Sequence, residues 1–161
     1  MFVRCYDENA LKRRPSYHGC SVSPKWHNFQ DFGGWYDDNY INEYQLDKDV
    51  LVKGNKVYSP DFCAYVPMDI NLLFSPCGHE NGLPAGVKKC LGNTKKKLYT
   101  ATVSIANEKI WLGNYGTPEE AFNAYKIAKE KNIKEVAKKW KGKISDKVYN
   151  AMINYVVDID D

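Results

Sequence analysis

The chain has 161 residues, 43% hydrophobic and 14% aromatic, with a net charge of +3. That suits one medium domain or two small ones with packed cores and is too apolar for wholesale disorder. No run of about 18 apolar residues occurs, so no membrane span is expected, and Met1-Phe2-Val3-Arg4-Cys5 is too short and polar for a signal peptide; a cytosolic protein is the default.

The first forty residues are rich in aromatics: Tyr6, Tyr17, Trp26, Phe29, Phe32, Trp35, Tyr36 and Tyr40. Ser23-Pro24 suits a helix start, and Trp26, Phe29 and Phe32 then recur in threes. This predicts a helix over 24–39 with a buried aromatic face. Gln45 to Leu51 and Lys56 to Tyr58 read as two short strands around the turn Lys53-Gly54-Asn55. Pro67 to Phe74 reads as a helix with Ile70, Leu73 and Phe74 apolar. Residues 75–84, Ser75-Pro76-Cys77-Gly78-His79-Glu80-Asn81-Gly82-Leu83-Pro84, are dense in turn formers and mark a break between domains.

Beyond the break, Gly86-Val87-Lys88-Lys89 starts a strand. Leu98 to Ile105 alternates Ala101, Val103 and Ile105 with Thr100, Thr102 and Ser104, the period of a strand with one solvated face. Ala106-Asn107-Glu108 turns the chain into a third strand from Lys109 to Leu112, ending at Gly113. Thr117-Pro118-Glu119-Glu120 is a capping box with proline at the first helical position. Ala121, Ala124, Tyr125 and Ala128 then recur at helical spacing, small enough to lie close on a sheet. Ile133, Val136, Ala137 and Trp140 continue the helix, Gly142 interrupts it, and Ser145 caps a last helix bearing Val148, Met152, Ile153 and Tyr155. The final residues, 158–161, are expected to fray.

Charge is unevenly spread. Lys88 to Lys143 holds 14 lysines against five glutamates, whereas the first 79 residues hold eight basic and ten acidic side chains. A basic block beside a near-neutral one suits a polyanion, DNA above all, or is a solvated lysine-rich helix face. The five cysteines, Cys5, Cys20, Cys63, Cys77 and Cys90, form no CxxC pair. A structural zinc held by Cys5, Cys20, Cys63 and a fourth group matches no compact ligand spacing, and buried thiols are the preferred reading.

Tyr44-Gln45-Leu46-Asp47-Lys48-Asp49, Gly54-Asn55-Lys56-Val57-Tyr58-Ser59-Pro60 and Cys63-Ala64-Tyr65-Val66-Pro67, with Asn71, resemble the core of phage HNH endonucleases of the ββα-metal type. The resemblance implies a strand, strand, helix site. In that family a histidine deprotonates the attacking water, and an asparagine or histidine on the helix helps hold one metal ion, Mg²⁺ if the nuclease is active. Here Gln45 stands at the histidine position and Asn71 at the third motif position. A glutamine amide cannot act as a general base. Tyr44 stands where many members have a metal ligand, and Phe62 at or near the middle asparagine position. Asp47, Asp49 and Asn71 are the candidate metal ligands; the two aspartates read equally as a turn and strand-end pair capping local backbone. Met1 to Glu8 resembles the family pattern joined midway. His18, His27 and His79 are the only histidines, and nothing in the sequence assigns one as a substitute base.

Gly86-Val87-Lys88, Tyr99-Thr100-Ala101-Thr102-Val103, Ile110-Trp111-Leu112-Gly113-Asn114-Tyr115, Thr117-Pro118-Glu119-Glu120-Ala121 and Ala124-Tyr125 resemble the AP2 DNA-binding domain. That family lays a three-stranded sheet in the major groove of double-stranded DNA. By motif position the resemblance implies Lys88, Lys89, Thr102, Ser104, Lys109 and Trp111 as contacts, with Lys95, Lys96 and Lys97 reaching phosphates. Ala85 and Cys90 match positions usually held by arginine, so sequence preference is expected to be modest. Alternation with Ile110 and Leu112 puts Trp111 on the outward face.

The expected architecture is α+β. An HNH-like ββα domain spans 1–76, a linker 77–84, an AP2-like three-stranded antiparallel sheet with its helix 85–130, and a C-terminal helical extension 131–161. The preferred function is a phage DNA-binding protein with a degenerate nuclease site, acting in the cytoplasm of the host bacterium. The alternatives are an active Mg²⁺-dependent nicking endonuclease of the homing type, and an inhibitor that binds a host defence protein or nuclease.

Overall fold

The computed structural model describes residues 1–74, 82–90, 98–106 and 108–159. The chain is α+β and divides into two compact units: Met1–Phe74 with Gly142–Ala151, and Ser75–Lys141 with Met152–Asp161. Among the described residues, no helix is long and apolar enough to cross a membrane.

The first unit begins with two short helices that the sequence reading passed over, α1 (Phe2–Tyr6) and α2 (Glu8–Arg13). Asp7 caps α2, its carboxylate accepting the Ala10 amide at 2.7 Å. The Tyr6 hydroxyl accepts the amide of Val22 at 2.9 Å and so ties α1 to β1 (Ser21–Val22). The predicted helix over 24–39 is two pieces. Pro24–His27 is a 3₁₀ turn, and α3 (Phe29–Asn39) starts only after Asn28, whose side chain accepts the Gln30 amide at 3.0 Å. That cap breaks the three-residue rhythm. Trp26 is buried from the turn, while Phe29 faces solvent.

The strands pair differently from the predicted hairpin. Only Gln45–Asp47 forms β2; its antiparallel partner is β4 (Ala64–Val66), with Gln45 opposite Val66 and Asp47 opposite Ala64. Between them, β3 (Val57–Tyr58) pairs in parallel with β1. The cause is side-chain capture of the backbone. Asp47 accepts the amides of Asp49 and Val50 at 2.9 and 2.7 Å, which ends β2 in a turn. Asn55 then donates to the carbonyls of Lys48 and Val57 and accepts the Val57 amide, closing the loop. Helix α4 (Met68–Leu73) follows β4 directly with Pro67 at its cap and Ile70 fully buried. Helix α4 thus follows the antiparallel pair β2–β4, not the expected hairpin of 45–51 with 56–58.

The core of this unit gathers Cys5, Cys20, Val22, Trp26, Tyr58 and Cys63, with Phe32, Trp35 and Leu46 packed around it. Trp26 lies 4.7 Å from Trp35 and edge-on to Phe32 at 5.2 Å. All three cysteines are free thiols in apolar surroundings, and burial pushes the Cys63 thiol up to about 12. A pulse of iodoacetamide at pH 7.5 on the native protein should leave Cys5, Cys20 and Cys63 unmodified, with half-buried Cys90 reacting. Peptide mass spectrometry reads the result; rapid native-state labelling of Cys63 would contradict the packing.

The second unit is an antiparallel sheet in the order β5 (Val87–Lys89), β6 (Tyr99–Ile105), β7 (Glu108–Tyr115), covered by α5 (Pro118–Lys139). β7 runs past Gly113 to Tyr115: Ala101 faces Gly113 and Thr102 faces Trp111, so Leu112 is the extra residue of a bulge in β7, after which pairing resumes. Ala101 and Val103 are buried on the inner face, where Ala121, Tyr125 and Val157 join their clusters. Thr117 caps α5, its hydroxyl accepting the Glu120 amide at 3.2 Å, while the Glu120 carboxylate accepts the Gly116 amide at 3.1 Å. The helix is continuous across residue 130, as the spacing of Ile133, Val136 and Ala137 predicts, so the extension from 131 begins as its last turns. Glu130 and Lys126 hold the returning chain: the Val157 amide donates to Glu130 and Lys126 donates to the Val157 carbonyl. The last helix, α6 (Asp146–Ile153), belongs up to Ala151 to the first unit and is capped by the Ser145 hydroxyl, which accepts the Val148 amide at 3.4 Å.

Candidate nucleic-acid interface

Two sets of residues singled out in the sequence are brought together, one in each unit. In the first unit, Gln45 leaves the start of β2 and Asn71 the outer side of α4. The Asn71 amide Nδ2 donates to Gln45 Oε1 at 2.6 Å. The two positions, 26 residues apart, thus form a direct pair of neutral amides on the ββα element. Neither takes up a proton near neutral pH, so the pair orients and donates hydrogen bonds but cannot activate water.

The surrounding candidates are committed elsewhere. The Asp47 carboxylate is 6% exposed and serves the two backbone amides of its turn. Burial raises its pKa above the ordinary carboxylate value, the Val50 and Asp49 amides opposing the rise. Asp49 is paired with the Lys48 ammonium at 2.6 Å, which also donates to the Asn55 carbonyl at 2.9 Å. The Tyr44 hydroxyl donates to the Lys143 carbonyl at 2.9 Å. Phe62 is an exposed apolar side chain. His27 shares a hydrogen bond with the Val22 carbonyl at 3.2 Å and lies edge-on to Phe2, 5.2 Å between centroids. His18 is exposed and His79 lies outside the described residues. Among the described residues no three His, Cys, Asp or Glu side chains converge. A Mg²⁺ ion asks for near-octahedral oxygens, including one or two carboxylates. Here Asp47 Oδ1 is engaged by two backbone amides and Asp49 Oδ1 by the Lys48 ammonium, and no third carboxylate, histidine or cysteine among the described residues joins them, so the residues present are a poor fit to that ion.

In the second unit the outer face of the sheet carries the sequence-predicted contacts. Cross-strand pairs share a face. Lys88 stands opposite Thr100, Thr100 opposite Asn114, Thr102 opposite Trp111 and Ser104 opposite Lys109. These side chains form one continuous patch turned away from the buried residues Ala101 and Val103. Trp111 is 65% exposed at its centre, and Lys88, Ser104 and Lys109 are exposed beside it. Lys89 pairs with Tyr99 in the alternate register, so it belongs to the opposite side of β5 from Lys88. Lys95, Lys96 and Lys97 lie outside the described residues.

Asn114 was not among the residues expected from sequence. Thr100 Oγ1 donates to Asn114 Oδ1 at 2.7 Å, and Cys90 Sγ shares a hydrogen bond with Thr100 Oγ1 at 3.0 Å. The chain Cys90–Thr100–Asn114 fixes the carboxamide with its NH₂ available to an acceptor. Only the β6–β7 register reveals this, and the bulge that sets the register has no sequence signal of its own. The patch differs chemically from ordinary surface: a planar indole flanked by lysines and hydroxyls suits stacking or apolar contact together with phosphate pairing. No family model, curated protein or solved structure matches this chain.

Proposed function

We propose that this chain is a DNA-binding protein of the HNH–AP2 kind that grips duplex DNA across the outer face of β5–β6–β7 and does not cut it. The observation that supports the reading is the row Lys88, Thr102, Trp111, Ser104 and Lys109 on one solvent-facing sheet surface. A twisted antiparallel ribbon matches the width of the major groove. Lysines and hydroxyls position on phosphates and read bases weakly, so affinity depends steeply on salt and only mildly on sequence. The paired amides of Gln45 and Asn71 support the absence of cleavage, because water there meets no base.

Fluorescence anisotropy with a 20-base-pair duplex between 50 and 200 mM NaCl tests the binding. Trp111→Ala should weaken it about tenfold, from the roughly 1.5–3 kcal/mol that burying a large apolar side chain contributes. Lys109→Ala should reduce the log–log salt slope by about one. Unchanged binding in both variants would sink the interface. Plasmid incubated with the protein and Mg²⁺ or Mn²⁺ should stay supercoiled. Nicking by the wild type that disappears in Asn71→Ala would instead establish a working nuclease.

A further inference from the structure

Helix α5 of the second unit carries a cationic surface that the sheet reading does not use. On α5, Ile127, Lys131, Lys134 and Lys138 are spaced by four, three and four residues and are all exposed. At 100° per residue they fall within about 60° of one another around the helix, a single line along its solvent side. The buried residues Ala121, Tyr125, Asn132 and Ile133 occupy the other side of the same helix. Glu135 pairs with Lys131 across 3.9 Å, with both side chains largely exposed, a geometry that screens little of the charge. The next acidic side chain, Glu130, is held by the Val157 amide and Lys126.

We infer that this lysine line is a second phosphate-backbone contact, which docks a DNA segment separate from the one on the sheet, so that one copy of the chain bridges two duplexes. From Lys131 to Lys138 the helix rises roughly 10 Å, about three base-pair steps of a duplex. Lysines on flexible stems follow phosphates without demanding a register. An anionic membrane fits poorly: the line has one apolar residue, Ile127, where an interfacial helix needs an apolar face, and the apolar face of α5 is already buried. A second copy of the same surface is repelled by its like charge. The residues through which α5 meets the sheet, Ala121 and Tyr125 among them, lie on a side of the helix turned away from this line. The bridging statement rests on the sheet reading proposed above; the phosphate contact by α5 does not.

The test captures a fluorescent 30-base-pair duplex on beads that carry a second, unlabelled duplex, at 50 mM NaCl. Anisotropy on a single duplex runs in parallel. Four proteins are compared: wild type, K131E/K134E/K138E, W111A/K109A, and the two sets of changes combined. Circular dichroism melts confirm folding, and K131Q/K134Q/K138Q serves if the charge reversal melts early. Expected is wild-type bridging that falls at least tenfold in the lysine variant while single-duplex binding persists. W111A/K109A should retain weak binding with a log–log salt slope near −3, about 0.9 per neutralised phosphate, which the added lysine changes abolish. Bridging by the lysine variant equal to wild type overturns the inference and leaves the sheet reading intact. Duplex binding lost in the lysine variant but unchanged in W111A/K109A overturns the sheet reading and keeps the α5 contact. No binding by wild type overturns both.

Discussion

Gly86→Ala should cost the second unit about 4 kcal/mol. Gly86 has φ +72°, and a Cβ there would sit 2.1 Å from Cδ2 of Tyr125 and 2.6 Å from its Cε2 and Cγ. The ring lies flat against the glycine, so no rotation of the side chain clears the space. Nor can it retreat, because Tyr125 is a buried member of the cluster with Ala85, Val103 and Val157. The left-handed backbone contributes about 1–2 kcal/mol and overpacking of a filled core about 1–3 kcal/mol more. Gly82 separates the two terms. It shares the positive φ, at +73°, but a Cβ there meets nothing within 4 Å. Gly82→Ala should therefore cost only the backbone term. Thermal melts should show Gly86→Ala lowered by tens of degrees, since each kcal/mol shifts a unit of this size by about 4–8 °C. In a Tyr125→Ala background the added cost of Gly86→Ala should shrink toward the Gly82→Ala value. Equal costs in both backgrounds would mean that the ring is not the obstacle. The consequence reaches the proposed interface, because the Gly86 carbonyl accepts the Thr102 amide at 2.9 Å. Displacing Gly86 shifts the strand that carries Thr102 and Ser104.

The second unit was the more legible of the two. Alternation along β6, the Thr117-Pro118 cap and the alanine spacing on α5 each act within one element, and each predicts a structure that local chemistry alone can build. The outward placement of Trp111 followed from that alternation. The first unit was less legible because its elements are short and its backbone is organised by side chains. β1 and β3 are two residues each, too short to carry a period, and they pair in parallel across a long stretch of intervening chain. The Asp47 turn and the Asn55 tie decide where β2 stops, and both override the strand pattern of Val50 to Val52. Asn28 overrides the aromatic rhythm in the same way. Asp7, three residues before Ala10, was a visible cap whose helix was too short for periodicity to support. The candidate site divides along the same line. Gln45 and Asn71, named in the sequence by motif position alone, share a hydrogen bond that their spacing did not predict, whereas Asp47 and Asp49 are taken up by the loop around them.

That loop makes the sharpest prediction about pH. Asp47→Ala should destabilise the first unit by about 2–4 kcal/mol, because two buried amides lose their acceptor at roughly 1–3 kcal/mol each. Asp47→Asn keeps an acceptor oxygen of the same shape and should behave quite differently. Burial raises the folded-state pKa of Asp47 above its ordinary value of 3.8. A carboxyl with a raised folded pKa contributes stability that is fully present below the unfolded value of 3.8 and is lost as pH rises through the folded value. Ionising Asp47 in the folded protein therefore costs stability, and the neutral amide introduced by Asp47→Asn removes that cost. Melts of wild type and Asp47→Asn across pH 4 to 7 should show the variant equal to or above wild type at pH 7, with the advantage shrinking toward pH 4. A variant that is worse at pH 7 and recovers on acidification would mean that the carboxylate charge, held by the Asp49 and Val50 amides beside Lys48, outweighs its desolvation. The same variant separates the turn from the proposed interface: Asp47→Asn should leave DNA affinity at the sheet of the second unit unchanged.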